Sequence, residues 1–382
     1  MGDLRKRIDR IMHTAAVRDD RVLAGLLYGA SCIYEGAVRL RNFCFRTGIF
    51  QTRALPCRVI SVGNITVGGT GKTPMAIYMA KLIQQMGYRP AILSRGYKGG
   101  AEKHGAVVSD GRNLIADFQT AGDEPLLMAC RLNGVPVLVG GNRYKSGMRA
   151  VAEFDPDMII LDDGFQHRAL YRDLDLVLID AKQGTGNGFM LPRGVLREPV
   201  SGLGRAHGLV ATRANQAQGF AAGVYAGAGI PVFQANHYPY VAGIYAGNDS
   251  CPVSVARLSE SSGFSLMENR RIFAFSGIAQ NFEFRDMLES RLGKLSGFSG
   301  FSDHHFYTQK DLQDIAEASR RCSCELLATT DKDFVRIAGR LPASILVAVI
   351  GVRLVFADTE EENRFAGFVR EKLAGRIREA RQ

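Results

Sequence analysis

The 382-residue chain has no tryptophan, and its aromatic residues, 9% of the total, form no aromatic-rich basic stretch of the RNA-binding kind. That removes the stacking platforms on which single strands are read. Cysteine is sparse and unpaired in pattern: there are seven, an odd number, and the only close pair, Cys322 and Cys324, lacks the second pair that would complete a metal site. The cysteines are therefore expected to be reduced and mostly buried, as in a cytosolic protein, with no metal or redox role. No long hydrophobic run is present. The apolar or small stretch at residues 22–34 is thirteen residues, against about 20 for a membrane span. No small-residue cleavage motif follows it, which argues against a signal peptide. There is no internal repeat and no low-complexity run. Negative charge is in deficit: the net charge is +10. The expected partner is anionic, an acidic membrane surface or a phosphorylated substrate, with no nucleic acid.

With 46% hydrophobic residues, the chain is globular and long enough for two cores. Its central stretch is residues 59–74. An apolar run (Val59, Ile60, Val62) stops at a turn built from Asn64, Thr66, Val67, Gly68, Gly69, Thr70 and Gly71. Lys72 and Thr73 close the turn, and a helical pattern follows (Met75, Met79, Leu82, Ile83). Glycines let a backbone bend around a phosphate and aim its N–H groups inward, and a new helix offers free donors and the positive end of its dipole. In such a cradle Lys72 reaches the β- and γ-phosphates and the Thr73 hydroxyl ligates Mg²⁺. The usual first glycine is replaced by Thr66.

Around this loop the chain reads as alternating strands and helices. Residues 1–21 pattern as a basic amphipathic helix, with Leu4, Ile8, Ile11, Met12 and Ala15 on one face. Residues 1–46 carry nine Lys/Arg against five Asp/Glu. A basic, apolar N-terminal segment suits a helix lying in a membrane interface, and residues 1–50 are read as that element. Ser94-Arg95-Gly96-Tyr97 follows a strand, where ligands gather in open parallel sheets. Asp123 and Glu124 precede a helix (Leu126 to Leu132) and fit either helix capping or a base beside a metal ligand. Arg143 opens another helix. Met158 to Gly164 reads as a buried strand tipped by Asp162 and Asp163, the form of a second nucleotide-binding motif whose Asp holds Mg²⁺, and Gln166 follows at the same end. The stretch 188–199, with Arg193 and Arg197, is both greasy and basic. Residues 106–121 read as a hairpin excursion, 231–236 and 240–246 as two strands, and 214–229 as a helix or linker. The nucleotide-binding domain is placed at 51–222, and a smaller α/β domain at 223–382, ending in an amphipathic helix. In the latter, Asp303-His304-His305 fits a metal site, a proton relay or a turn. The expected fold class is α/β: a P-loop NTPase-like, mostly parallel sheet with helices on both faces, plus the smaller α/β domain.

These parts specify NTP and Mg²⁺ but not the phosphoryl acceptor. A kinase, an NTPase switch and a non-hydrolysing nucleotide module all remain. The Gly-Gly-Thr-Gly-Lys-Thr loop resembles that of dimeric ParA/MinD-like ATPases, whose signature Lys is replaced here by Val67. A guanine-reading Asn/Thr-Lys-x-Asp is absent, since Asp331 precedes Lys332.

Taken in order, the loop at 61–74, Ser94-Arg95-Gly96-Tyr97, Gly122-Asp123-Glu124-Pro125, Gly141-Asn142-Arg143, Leu161-Asp162-Asp163-Gly164-Phe165-Gln166-His167, Leu191-Pro192-Arg193-Gly194, Leu196-Arg197-Glu198-Pro199 and Asp303-His304 resemble the tetraacyldisaccharide 4′-kinase family, the lipid A kinases of Gram-negative bacteria. The resemblance covers nearly the whole chain, and the family's loop is built around Asn64 and the double glycine. One departure is Asp331, where the family pattern has Glu. The resemblance implies phosphoryl transfer from ATP to the 4′-hydroxyl of tetraacyldisaccharide 1-phosphate, giving lipid IVA. It also implies a peripheral or monotopic enzyme on the cytoplasmic face of the inner membrane. It implies Asp123 and His304 as the catalytic pair, which would have to meet across the cleft between the two domains, a geometry that suggests closure around ATP. Lys72, Arg143 and Arg197 would then neutralise the transferring phosphoryl group. Thr73, Glu124, Asp162 and Asp163 are the Mg²⁺ candidates, and Tyr97 and Gln166 are candidate nucleotide or substrate contacts.

Overall fold

The computed structural model describes residues 2–14, 20–216, 229–249 and 263–374. In chain order the elements are α1 (Gly2–His13), α2 (Arg21–Arg46), β1 (Arg58–Asn64), α3 (Lys72–Gln85), β2 (Pro90–Ser94), β3 (Ala106–Ser109), α4 (Phe118–Ala121), α5 (Asp123–Arg131), β4 (Val137–Val139), α6 (Arg143–Phe154), β5 (Met158–Asp162), β6 (Leu174–Asp180), β7 (Gly208–Thr212) and β8 (Val232–Ala246). They continue with β9 (Ile272–Ser276), α7 (Asn281–Leu292), β10 (Gly297–Gly300), α8 (Gln309–Arg321), β11 (Leu326–Thr330), α9 (Asp331–Ile337), β12 (Leu346–Phe356) and α10 (Thr359–Ala374).

Two compact units form, and neither is continuous in sequence. The first comprises residues 1–94, 142–237 and 354–382; the second comprises 95–141 and 238–353. The sequential division at 222/223 expected from composition differs from this. Residues 95–141 group with the later unit, and the C-terminal helix α10 groups with the first. Composition cannot report this, because an insertion carries the apolar pattern of whichever core it joins. The expected strands at 231–236 and 240–246 are one strand, β8, running through Pro239. Most of the expected helix or linker at 214–229 lies outside the described residues; Ala214–Gln216 is a 3₁₀ turn.

In the first unit the strands run β8–β7–β6–β1–β5–β2, all parallel. β1, β5, β6 and β7 are buried along their whole length. Strands covered on both faces read as continuous apolar runs, as these do. α3 packs on β1, β2 and β5. A core of Val38, Ile65, Phe165, Val177, Ile179, Met190, Leu196 and Leu209 ties α2 and the loop at 190–196 to this sheet. The second unit carries β10–β9–β11–β12–β8, with the first four mutually parallel. Its sheet buries one core around Phe275, Tyr307, Leu327 and Val349 and another around Met267, Ala274, Leu288 and Ala348. The excursion expected at 106–121 appears as β3, a tight bridge between Ser109 and Leu114, and α4; β3 then pairs antiparallel with β4.

α2 is longer than the sequence pattern suggested and only half covered. Its inner face docks on the first unit: Ser31 Oγ donates to the Met190 carbonyl at 2.8 Å, Tyr34 Oη to the Arg197 carbonyl at 3.1 Å, and Arg41 pairs with Glu198. Its outer face presents Val22, Leu26, Ile33, Leu40 and Phe43, all exposed. Successive positions lie three, four or seven residues apart, one or two helical turns, so they form one stripe. Ile49 and Phe50 extend it. Among the described residues no helix is long and apolar enough to cross a membrane. The cysteines differ from expectation. Cys32, Cys44, Cys57, Cys322 and Cys324 are free, but none of these is buried. The one buried described cysteine, Cys130, is disulfide-bonded; Cys251 lies outside the described residues.

Candidate active site

The phosphate loop leaves β1 at Asn64 and is held open from three sides. Thr66 bridges Leu196, Val67 N donates to the Val195 carbonyl at 2.8 Å, and Arg197 N donates to the Ile65 carbonyl at 2.7 Å. Asn64 Nδ2 donates to Thr70 Oγ1 at 3.0 Å, closing the loop on itself. Thr212 Oγ1, at the tip of β7, donates to the Thr70 carbonyl at 3.0 Å. Between these anchors Gly68 and Gly69 remain exposed. Two glycines are obligatory. A Cβ on Gly63 would lie 2.5 Å from Cβ of Phe165, and Gly71 caps α3 with φ 88° in the left-handed region. Thr66, in the place of the usual glycine, is a bridge partner of Leu196.

The strand pairing Val62↔Asp162 sets the acid tip of β5 beside the root of the loop. Ser94 Oγ donates to Asp162 Oδ2 at 3.0 Å. Asp163 follows with φ 52°, a backbone that Asp tolerates better than most residues. Its carboxylate lies 3.7 Å from Lys72 Nζ and 3.0 Å from Arg197 Nη1. Burial alone would raise the Asp163 pKa, but Lys72, Arg197 and Arg143 overcome it and hold the carboxylate below its usual range. Arg143 is itself buried, in the first turn of α6 behind its N-cap Asn142. Lys72, Arg143 and Arg197 thus gather about one carboxylate. Thr73, Asp162 and Asp163 present hydroxyl and carboxylate oxygens, the donor type that a hard dication takes. Gln166 reaches the same place in another role than expected: its Nε2 donates to the Asn64 carbonyl at 2.8 Å and braces the loop.

The remaining candidates lie in the second unit, so Asp123 and His304, expected to meet across a cleft between domains, belong to one compact unit, because the insertion 95–141 that carries Asp123 joins the later chain. Gly122, with φ 82°, caps α5, so Asp123 and Glu124 are the first residues of the helix and not its cap. Pro125 follows in the first turn, where its missing N–H is not needed. Asp123 is 5% exposed. Its Oδ2 accepts from His304 Nδ1 at 2.9 Å, and its Oδ1 from the Glu124 N–H at 3.0 Å. Since an ionised carboxylate only accepts, Nδ1 of His304 carries the proton. Burial pushes the Asp123 pKa up, but the His304 hydrogen bond and the charges of Lys332 and Arg336 prevail and depress it well below the carboxylate range. His304 sits on a turn with φ 57°, its N–H held by the Gly277 carbonyl. The exposed ring of Tyr97 stands edge-on, 6.4 Å away. Tyr97 therefore belongs with the acid–base pair within this unit. Glu124 is also in this unit, ion-paired with Lys332. Among the described residues no cluster of three His, Cys, Asp or Glu side chains could by itself hold a metal.

Sequence reasoning missed Arg336 and noted Asp331 only as a departure from the family pattern. In the structure Arg336 is 4% exposed and donates to Asp123 Oδ2. Residues 331–337 form α9, whose Lys332 holds Glu124 and whose Asp331 pairs with Arg131. The one available signal was the departure from family pattern at Asp331, which marked the segment without saying what it touched.

A phosphate loop on a parallel sheet, an acid-tipped neighbouring strand, three cations and a carboxylate–imidazole pair define a nucleotide-dependent phosphotransferase of the P-loop class. The model of the tetraacyldisaccharide-1-P 4′-kinase family matches residues 23–373. A tetraacyldisaccharide 4′-kinase of Desulfatibacillum aliphaticivorans is 38% identical over 98% of this chain and 99% of its own, and one of Syntrophobacter fumaroxidans is 40% identical over 89% and 88%. The crystal structure of LpxK from Aquifex aeolicus in complex with ATP is similar with a TM-score of 0.71 at 31% identity, covering 92% of this chain and 99% of that one. The chain belongs to the tetraacyldisaccharide-1-phosphate 4′-kinase family.

Proposed function

We propose that this chain transfers the γ-phosphoryl group of ATP to the 4′-hydroxyl of tetraacyldisaccharide 1-phosphate, giving lipid IVA. The single observation that carries the reading is its similarity, end to end, to curated tetraacyldisaccharide 4′-kinases. The site chemistry supports it. Backbone donors of the loop hold the phosphates, and Lys72, Arg143 and Arg197 neutralise charge on the γ-phosphoryl oxygens as it moves. Thr73, Asp162 and Asp163 would hold Mg²⁺, which would supply Lewis-acid neutralisation of phosphate charge. The 4′-oxygen bonds to the γ-phosphorus as the bond to the β–γ bridging oxygen breaks and ADP leaves. Asp123 takes the hydroxyl proton, with His304 orienting the carboxylate.

The enzyme acts as a peripheral protein on the cytoplasmic face of the inner membrane. The stripe on α2, the nearby Ile49 and Phe50, and the basic first helix support this placement. A coupled assay of ADP release, with and without the disaccharide acceptor, tests the activity. Release that depends on the acceptor and on Mg²⁺ is expected. Release at the same rate without acceptor would favour an NTPase switch instead.

A further inference from the structure

α9 and the residues beside it build a buried frame around Asp123. Asp333 is 0% exposed. One of its oxygens accepts from Arg336 Nη1 at 2.9 Å and from Tyr307 Oη at 3.0 Å; the other accepts from Thr330 Oγ1 at 2.6 Å and from the Gly277 N–H at 2.9 Å. Arg336 Nη1 also donates to the Gly277 carbonyl at 3.1 Å. Its other terminal nitrogen, Nη2, donates to Asp123 Oδ2. The guanidinium is thus a planar bridge between a fixed carboxylate, Asp333, and a functional one, Asp123. Gly277 belongs to the same frame, and its carbonyl also takes the N–H of His304. Counting lone pairs, Oδ2 of Asp123 is filled by Arg336 and His304, while Oδ1 has one taken by Glu124 N–H and one left toward a substrate hydroxyl.

We propose that Arg336, anchored by Asp333, is a positioning residue that fixes the rotamer of Asp123 so that Oδ1 faces the acceptor hydroxyl. This rests on Asp123 being the base. A lysine cannot replace it, because a single ammonium cannot span two carboxylates in the geometry of a planar fork. The test compares R336K, R336A and D123A, with kcat expressed per nucleotide-binding site counted by calorimetry, so that unfolded protein drops out. Misplacing a reacting group by about 1 Å costs about 10²-fold, the loss expected in kcat for R336A, with R336K at about 10-fold. KM for ATP and for lipid should stay within about two-fold, as for an interaction realised only in the transition state. Should R336A not fold, R336K decides. A kcat per site equal to the native value, or a loss lying wholly in KM, would overturn the clamp. If D123A itself keeps its turnover, the base reading fails; if D123A is dead while both Arg336 variants turn over normally, only the clamp fails.

A second inference stands on a different observation, in the first unit. Arg213 Nη1 donates to Asp180 Oδ2 at 2.9 Å, and Arg213 Nε donates to Nδ1 of His237 at 3.3 Å. An arginine only donates, so Nδ1 carries the lone pair and Nε2 of the neutral ring carries the proton. That N–H is shut off from solvent and has no acceptor among the described residues. It stands 2.3 Å from where a Cβ on Gly71 would be, beside the glycine that opens α3. A buried donor left without a partner calls for a missing one. We infer that His237 Nε2–H donates to a phosphate oxygen of the bound nucleotide. Calorimetry with ADP and, separately, adenosine, in the absence of lipid, tests this. H237F should weaken ADP by about 10-fold or more, the loss of one bond to a charged group, and leave adenosine unchanged. H237Q, which keeps an Nε2 donor, should stay within about three-fold of native. Native ADP affinity in H237F, or an equal loss for adenosine, would overturn the inference.

Discussion

Replacing Leu26, Ile33 and Leu40 with glutamine tests whether the outer face of α2 holds the protein to its membrane. These side chains are 69, 77 and 64% exposed, so the surface they could still bury amounts to about two full aliphatic side chains. At about 1.5–3 kcal/mol for each, the triple variant forfeits about 3–6 kcal/mol of transfer free energy, or about two to four powers of ten in partition coefficient. The fold should be spared. The contacts that dock α2, through Ser31, Tyr34, Val38 and Arg41, lie on the inner face, and glutamine keeps good helix propensity. The assay is sedimentation with vesicles containing anionic lipid, with thermal unfolding run alongside. The expected result is native-like Tm with loss of pelleting. Unchanged pelleting with native Tm would refute the argument and move the membrane contact elsewhere, the basic surface being next to examine.

Lys72→Ala should lower kcat by about 10²–10³-fold, the usual cost of removing one preorganised donor to developing charge, read in the ADP-release assay. Asp123→Ala should collapse turnover while calorimetry still shows ATP binding; turnover near the native rate would remove Asp123 from the chemistry. Gly63→Ala places a Cβ 2.5 Å from Phe165 in the core, so it should destabilise by about 1–3 kcal/mol, measured as a lower Tm. Burial, then the neighbouring Arg213, pulls the His237 pKa down to about 4 from 6.5. The unfolded chain therefore binds the extra proton first as pH falls. Stability should decline from pH 6.5 toward 4, and His237→Gln should flatten that part of the stability–pH curve; an unchanged slope would contradict the pKa shift.

Local chemistry made the phosphate loop and the acid-tipped strand legible. Strand, glycines, Gly-Lys-Thr and helix lie within one short stretch of chain, and Asp162–Asp163 closes an unbroken apolar run. The parallel sheet of the first unit followed from the same apolar runs. The pairing of Asp123 with His304 was reached through family resemblance, since 181 residues separate them and no periodicity links them. Arg336 stayed hidden for a related reason. An arginine near a helix end patterns as a surface charge, and only the packing of α9 against α5 reveals two carboxylates bracketing it. The regrouping of 95–141 with the later chain was equally invisible, because it is a property of tertiary contacts. Tyr97 and Gln166 were placed at strand ends correctly, but their partners, His304 and the Asn64 carbonyl, could not be read from position alone.

The most direct test of the account is label transfer from γ-labelled ATP in detergent micelles containing tetraacyldisaccharide 1-phosphate, with the labelled position mapped on the product. Label on the 4′-oxygen of the lipid, dependent on Mg²⁺ and absent with Lys72→Ala, is the predicted result. Label released only as inorganic phosphate, at the same rate with and without the lipid, would contradict it.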